Sequence, residues 1–358
     1  MRTLGLTLCY WFVTLLFTSA QNLEIHVINV GQGNCTFIKG PNGTTILFDG
    51  GKKTKGETEI VPYLDSLGYG SDNQLDYIIV SHKDADHFEG LIEVLEAGYD
   101  FRKAYDNGSR KRQYNYNITY KNLLKNTTAR KRVTMKPGTE IDLGNGAKAV
   151  CVISGGKIIG KNPIWNLSEN DKSLGLLIKY NDFEFFSAGD LGGGQNSLDN
   201  RCTHRKTGQA DLETPLIKAL QAQRLVDRDL GIEVLHVSHH GSESSTNHMF
   251  MNAMSPRVAV VSVGQNQSRS YQHPRVDIIE RVLMAKSECI TADPALVLQT
   301  DEGLKTYRTS TEGFTVGDIL ITVYSDSRYM ISATGEIEGE RSEILEAGLP
   351  ITFAPDTK

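Results

Sequence analysis

Residues 81–91 read SHKDADHFEGL and follow the apolar run Tyr77, Ile78, Ile79, Val80. His82, Asp84, Asp86 and His87 therefore stand within six consecutive positions at the end of what reads as a buried strand. A strand end that turns tightly can aim alternate side chains into one cavity, and imidazole mixed with carboxylate suits zinc, manganese or iron. The competing reading is a solvated acidic loop that carries two histidines. The preceding apolar strand and the HxDxDH spacing favour a metal site.

Other strand ends carry matching chemistry. Asp49 closes the strand pattern GTTILFDGG, where a carboxylate either orients a metal-binding His or serves the turn. Asp190 closes DFEFFSAGD ahead of a glycine run and is placed to bridge two metals. The strand Ile232–Val237 runs into SHHGSESS, so His239 or His240 is a further ligand, with Ser242 beside them as a substrate contact. Asn170, Asp171 and Ser173 precede the alternating strand Leu174–Tyr180 and are candidates for the substrate side. His273 stands before Pro274 in an extended loop, which suits a substrate contact or a proton donor. His26 and His236 read as core, His248 as the surface start of a helix, and His204 receives no role. Helix spacing is expected over Glu57–Tyr69, Gly90–Ala97, Leu212–Val226 and Val276–Lys286, with strands closing the chain over Thr306–Ser332.

At 358 residues the chain can bury a large core. Its start, MRTLGLTLCYWFVTLLFTSA, has one Arg, an apolar run from Leu4 to Phe17 and small residues up to Ala20. That pattern predicts a secretory signal over residues 1–20, which leaves one large domain over 21–332 and an acidic tail over 333–358. The competing reading is a membrane anchor, but the apolar run is shorter than the roughly 20 residues a membrane span needs, so no stable membrane association is expected. Cys35, Cys151, Cys202 and Cys289 remain after the signal, enough for up to two disulfides in an exported chain. Seven N-x-S/T sequons, at Asn34, Asn42, Asn107, Asn117, Asn126, Asn166 and Asn266, point to a glycosylated secreted protein. Residues 101–136 hold eleven Lys or Arg against one acid, a net +10 in a chain of net −5. With Tyr105, Tyr114, Tyr116 and Tyr120 interleaved, this segment suits phosphate backbones and stacked bases, Arg110, Lys111 and Arg112 foremost. The competing reading is a solvated insertion masked by glycans.

The phrases VINVGQGNCTFI, ILFDGG, IIVSHKDADHFEGL, NDKSLGLLIKY, FFSAGD, VSHHGS and YQHPR, in that order, resemble a metallo-β-lactamase-fold hydrolase. Within that superfamily the chain is most similar to the metallo-hydrolase domain of ComEC-type DNA-uptake proteins, over about residues 24–332. The resemblance implies an α/β fold, a four-layer αββα metallo-β-lactamase sandwich. It implies His82 and Asp84 on one ion, Asp86 and His87 on a second, Asp190 as the bridge, and His240 before His239 as the remaining ligand. One or two divalent ions, Zn or Mn, would be the cofactor. Asp84 stands where the general motif has His, and Asn170 or Asp171 where many members have another, which moves the ligand set toward oxygen and manganese. The implied function is a secreted metal-dependent phosphodiesterase or nuclease acting on DNA or RNA through a metal-activated water, with Asp86 and His273 catalytic. The alternatives are a hydrolase of small esters, lactones or lipid-headgroup phosphodiesters, and a non-catalytic binding protein on the same fold.

Overall fold

The computed structural model describes residues 22–70, 72, 74–195, 206–335 and 349–354. Residues 1–20, Cys202 and His204 lie outside them. The described residues build two nine-stranded sheets face to face, with helices on both outer faces. In the first sheet Leu23–Val27, Thr36–Lys39 and Thr45–Phe48 form an antiparallel meander, continued in parallel by Gln74–Val80 and Asp100–Asp106. The second sheet centres on Gly175–Tyr180, Phe183–Ser187, Val234–His236 and Val258–Val261, the last three parallel. Side chains alternate across each strand. Ile79 enters the core between the sheets, whereas Ile78 and Val80 pack beneath the helices of the first sheet. A strand buried on both faces needs a continuous apolar run, which is what precedes His82. The four-layer α/β arrangement follows.

Two boundaries that matter here differ from the sequence reading. The helix after Val80 runs over Ala85–Glu96 and so starts before Gly90, because Asp84 takes the extended N-cap conformation while apolar spacing begins only at Phe88. Asp86 and His87 consequently occupy a first helical turn. Gly90 sits inside this helix because an added Cβ would lie 2.0 Å from the Gly50 carbonyl oxygen, and that close crossing sets the Asp49 turn against the helix. Finally, Ile351–Phe353 pairs with Tyr329–Ala333, so the segment read as a tail contributes an edge strand to the first sheet.

Side-chain placement corrects further expectations. Cys35 and Cys151 are buried free thiols in different layers, the first under the helices and the second between the sheets, which removes the possibility of two bridges. Asn34 and Asn107 are buried and closed to a glycan, while Asn42, Asn126, Asn166 and Asn266 are exposed. Of the four tyrosines in the basic segment, Tyr105, Tyr116 and Tyr120 are buried. The helical turns over Asn115–Tyr120 put Tyr116 and Tyr120 on one face, against Phe88, and the Tyr116 hydroxyl donates to Asp106 at 2.7 Å. Only Tyr114, 75 % exposed, remains as a stacking surface there. Among the described residues no helix is long and apolar enough to cross a membrane.

Candidate metal centre

From the first sheet, His82 leaves the strand end and His87 the helix that follows; both are fully buried. Asp49 lies beneath them. Its carboxylate accepts from the Ser81 backbone N–H at 2.7 Å, from Ser81 Oγ at 2.6 Å and from His87 Nδ1 at 2.8 Å. Since the Ser81 hydroxyl gives its proton to Asp49, its oxygen accepts from His82 Nδ1 at 3.1 Å. Ser173 Oγ, also within reach of His82 Nδ1 at 3.3 Å, accepts from the Asp190 backbone N–H at 3.1 Å. The Nε2 lone pairs of both histidines are thereby turned away from the core.

From the second sheet, Asp190 follows Phe183–Ser187 and the paired histidines follow Val234–His236. His239 and His240 both have φ of 54°, a left-handed turn that points the two rings to one side. His240 Nδ1 donates to the Ser262 carbonyl at 2.8 Å, which leaves its Nε2 free to ligate. His239 Nδ1 meets Ser244 Oγ at 2.9 Å.

These groups converge on Asp190. Its carboxylate lies 3.0 Å from His87 Nε2, 3.5 Å from His240 Nε2, 3.5 Å from His239 Nε2 and 3.8 Å from His82 Nε2. Burial opposes charge on Asp190, yet the His239, His87 and His240 imidazoles hold its carboxyl well below the usual carboxylate range. Burial pushes the His82 imidazole down. Two overlapping sets, His82 with His87 and Asp190, and Asp86 with His87 and His240, each keep their ligand atoms within 4.8 Å of one another. The Nε2 atoms of His82, His87 and His240 and Oδ1 of Asp190 are buried without a hydrogen-bond partner among the described residues. Buried polar atoms are normally paired, so this orphaned mixture of imidazole and carboxylate fits a divalent ion.

The remaining residues divide. Asp84 Oδ2 is 3.9 Å from His82 Nε2, and its other oxygen meets Lys111 Nζ; it belongs to neither set. Asp171 is buried and accepts from Ser168 Oγ at 2.7 Å and from Ala210 N–H at 3.2 Å, so it shapes its own loop rather than facing substrate. Ser173, fully buried, positions His82 and Asp190. Asn170, Ser242 and His273 line a polar cavity of about 500 Å³ that includes His239. Burial and the neighbouring His239 push the His273 imidazole well below its ordinary range, so it is neutral and offers a hydrogen bond. Arg110 and Arg112 are exposed. Lys83, unassigned in the sequence, is buried, donates to the Ser109 carbonyl and packs 4.8 Å over Tyr116, tying the basic loop to the strand end.

Residues 28–138 match the family described as the metallo-beta-lactamase superfamily. The chain is 26% identical over 293 residues to "Recombination protein 2" of Haemophilus influenzae, covering 78% of this chain and 29% of that protein. It is 23% identical over 278 residues to "ComE operon protein 3" of Bacillus subtilis, covering 72% and 30%. The chain thus spans about three-tenths of the length of these relatives. Among solved structures, a metal-dependent hydrolase of the beta-lactamase superfamily aligns with TM-score 0.42 at 15% identity, over 80% of this chain and all of that one. The four layers and the strand-end His and Asp cluster agree with the metallo-beta-lactamase superfamily fold that residues 28–138 match, and the chain is similar in sequence to Recombination protein 2 and ComE operon protein 3.

Proposed function

We propose that this chain is an exported metal-dependent phosphodiesterase that cleaves nucleic acid. The observation that carries the reading is the contact of Lys111 with Asp84, which brings the loop of the +10 segment to the mouth of the metal cluster. Such a field draws phosphate backbones toward the cluster. His82, His87 and Asp190 would hold one ion, and Asp86, His87 and His240 a second. Bound there, a divalent ion supplies a Lewis acid for phosphoryl oxygens and lowers the pKa of water. Asp49, Ser81 and the Ser262 carbonyl keep three imidazoles turned inward. Asp86, partly exposed, is available to take a proton from an attacking water. His273 offers a neutral donor to a phosphate oxygen.

The cavity wall of Asn170, Ser242, Ser244 and Ser270 suits phosphate and sugar oxygens better than an acyl chain, which weighs against lactones and lipid esters. A binding protein without an ion would leave four buried atoms unpaired at roughly 1–3 kcal/mol each, which weighs against a chemically retired fold. The apolar run before Ala20 and the exposed sequons support export. Purified protein stripped with EDTA and supplied with Mn²⁺ or Zn²⁺ should cleave labelled DNA or RNA only when metal is restored. No metal-dependent cleavage of any single- or double-stranded nucleic acid would sink the proposal.

A further inference from the structure

Three residues of the cavity beside the cluster, Tyr271, His273 and Arg275, come from the one stretch YQHPR. The stretch is clamped from behind. The Gln267 amide accepts from His273 N–H at 2.7 Å and donates to the His273 carbonyl at 2.8 Å, while Arg275 N–H donates to the Gly241 carbonyl at 2.9 Å. Arg275 is 6 % exposed; its Nη2 lies 3.0 Å from Glu243 Oε1, but Nη1 is buried with no hydrogen-bond partner among the described residues. His273 Nδ1 is buried and unpartnered in the same way. Unpaired donors inside a protein are costly to keep, and a guanidinium beside an imidazole is a fitting pair of donors for a phosphate. Beside them the Tyr271 ring is 56 % exposed and lies 26° from parallel to the His273 ring, at 6.1 Å between centroids. An open aromatic face next to phosphate donors is what a nucleotide needs.

We infer that this cavity is a subsite for one nucleotide of a single strand, next to the bond to be cleaved. Arg275 and His273 hold its phosphate, and Tyr271 stacks its base. The inference rests on the nucleic-acid reading above and narrows it, because a base stacked on Tyr271 must be free of its pairing partner. Glu243 competes for the guanidinium, but Arg carries five N–H donors, so one carboxylate does not exhaust it. The Glu243 side chain is 30% exposed and has solvent on its other side.

Binding of a short labelled oligothymidylate, followed by fluorescence anisotropy with the protein in EDTA, tests this without turnover. The expected result is single-strand binding at least about tenfold tighter than duplex binding, weakened about tenfold by Tyr271→Ala and by Arg275→Lys. Glu243→Gln should bind more tightly, a gain that damage to the fold does not produce; melting curves identify any variant that has lost its structure. Wild-type binding that Tyr271→Ala and Glu243→Gln both leave unchanged, or equal affinity for duplex, overturns the subsite and leaves the nuclease reading standing. A wild-type protein that neither binds nor, with metal, cleaves nucleic acid, yet hydrolyses bis(p-nitrophenyl) phosphate, overturns both.

Discussion

The two sides of the metal cluster are held in place by different means. On the first-sheet side a web of side chains does the orienting, and nearly all of it passes through Asp49, which binds Ser81 twice and His87 once. On the second-sheet side the backbone does it: Gly189, His239 and His240 have φ of 50°, 54° and 54°, and a main-chain carbonyl fixes the His240 ring. Behind that turn stands Glu213, which receives the N–H groups of Thr246 and Asn247 at 2.6 and 2.7 Å. A web centred on one carboxylate fails with one substitution. A backbone turn fails only when the packing behind it gives way.

Asp190 leaves the second sheet but reaches His82 and His87 of the first, so Asp190→Ala should abolish metal retention and hydrolysis together, read by elemental analysis and by turnover of a phosphodiester. Asp49→Ala should lower metal affinity by about 10–100-fold with the ligands themselves intact, measured by competition with a chelating dye. Glu213→Gln should lower it far less; an equal loss would break the contrast between the two sides. Burial also pushes the Glu213 carboxyl from 4.5 up to about 8, against its two backbone donors. The native state then keeps a proton that the unfolded chain has released across that window. Stability should fall as pH rises from 4.5 to about 8 and level off above it, and Glu213→Gln should flatten the slope in urea titrations. The smallest effect is expected from His239→Gly. A left-handed residue with a side chain costs ~1–2 kcal/mol, so in EDTA this variant should melt a few degrees higher, while binding metal more weakly.

The strand ends were legible because their chemistry is local: an apolar strand, a tight turn and a ligand within a few residues. His82, His87, Asp190 and His240 meet for that reason. Asp49 was legible as one of two readings, and its hydrogen bonds to Ser81 and His87 decide between them. The role of Ser173 was not, because its bond to His82 joins residues 91 apart in sequence. Nor was the inward turn of Tyr116 and Tyr120, since composition reports that tyrosines accompany lysines without saying which face they take. The edge strand Ile351–Phe353 is three residues long and carries too little periodicity to be read. Asp84 was read as a ligand by its place in the motif; what it meets is Lys111, a partner supplied by a loop 27 positions away.

Because His82 and His87 leave one sheet while Asp190 and His240 leave the other, an ion at this centre is a fastener across the sandwich. Its affinity is added to the work of parting the layers. At a free-ion concentration a hundredfold above its dissociation constant, that fastening is worth about 2.7 kcal/mol. The same ion that would activate water thus also sets how firmly the two halves stay shut, and a chelator should slacken the whole molecule as well as silence it.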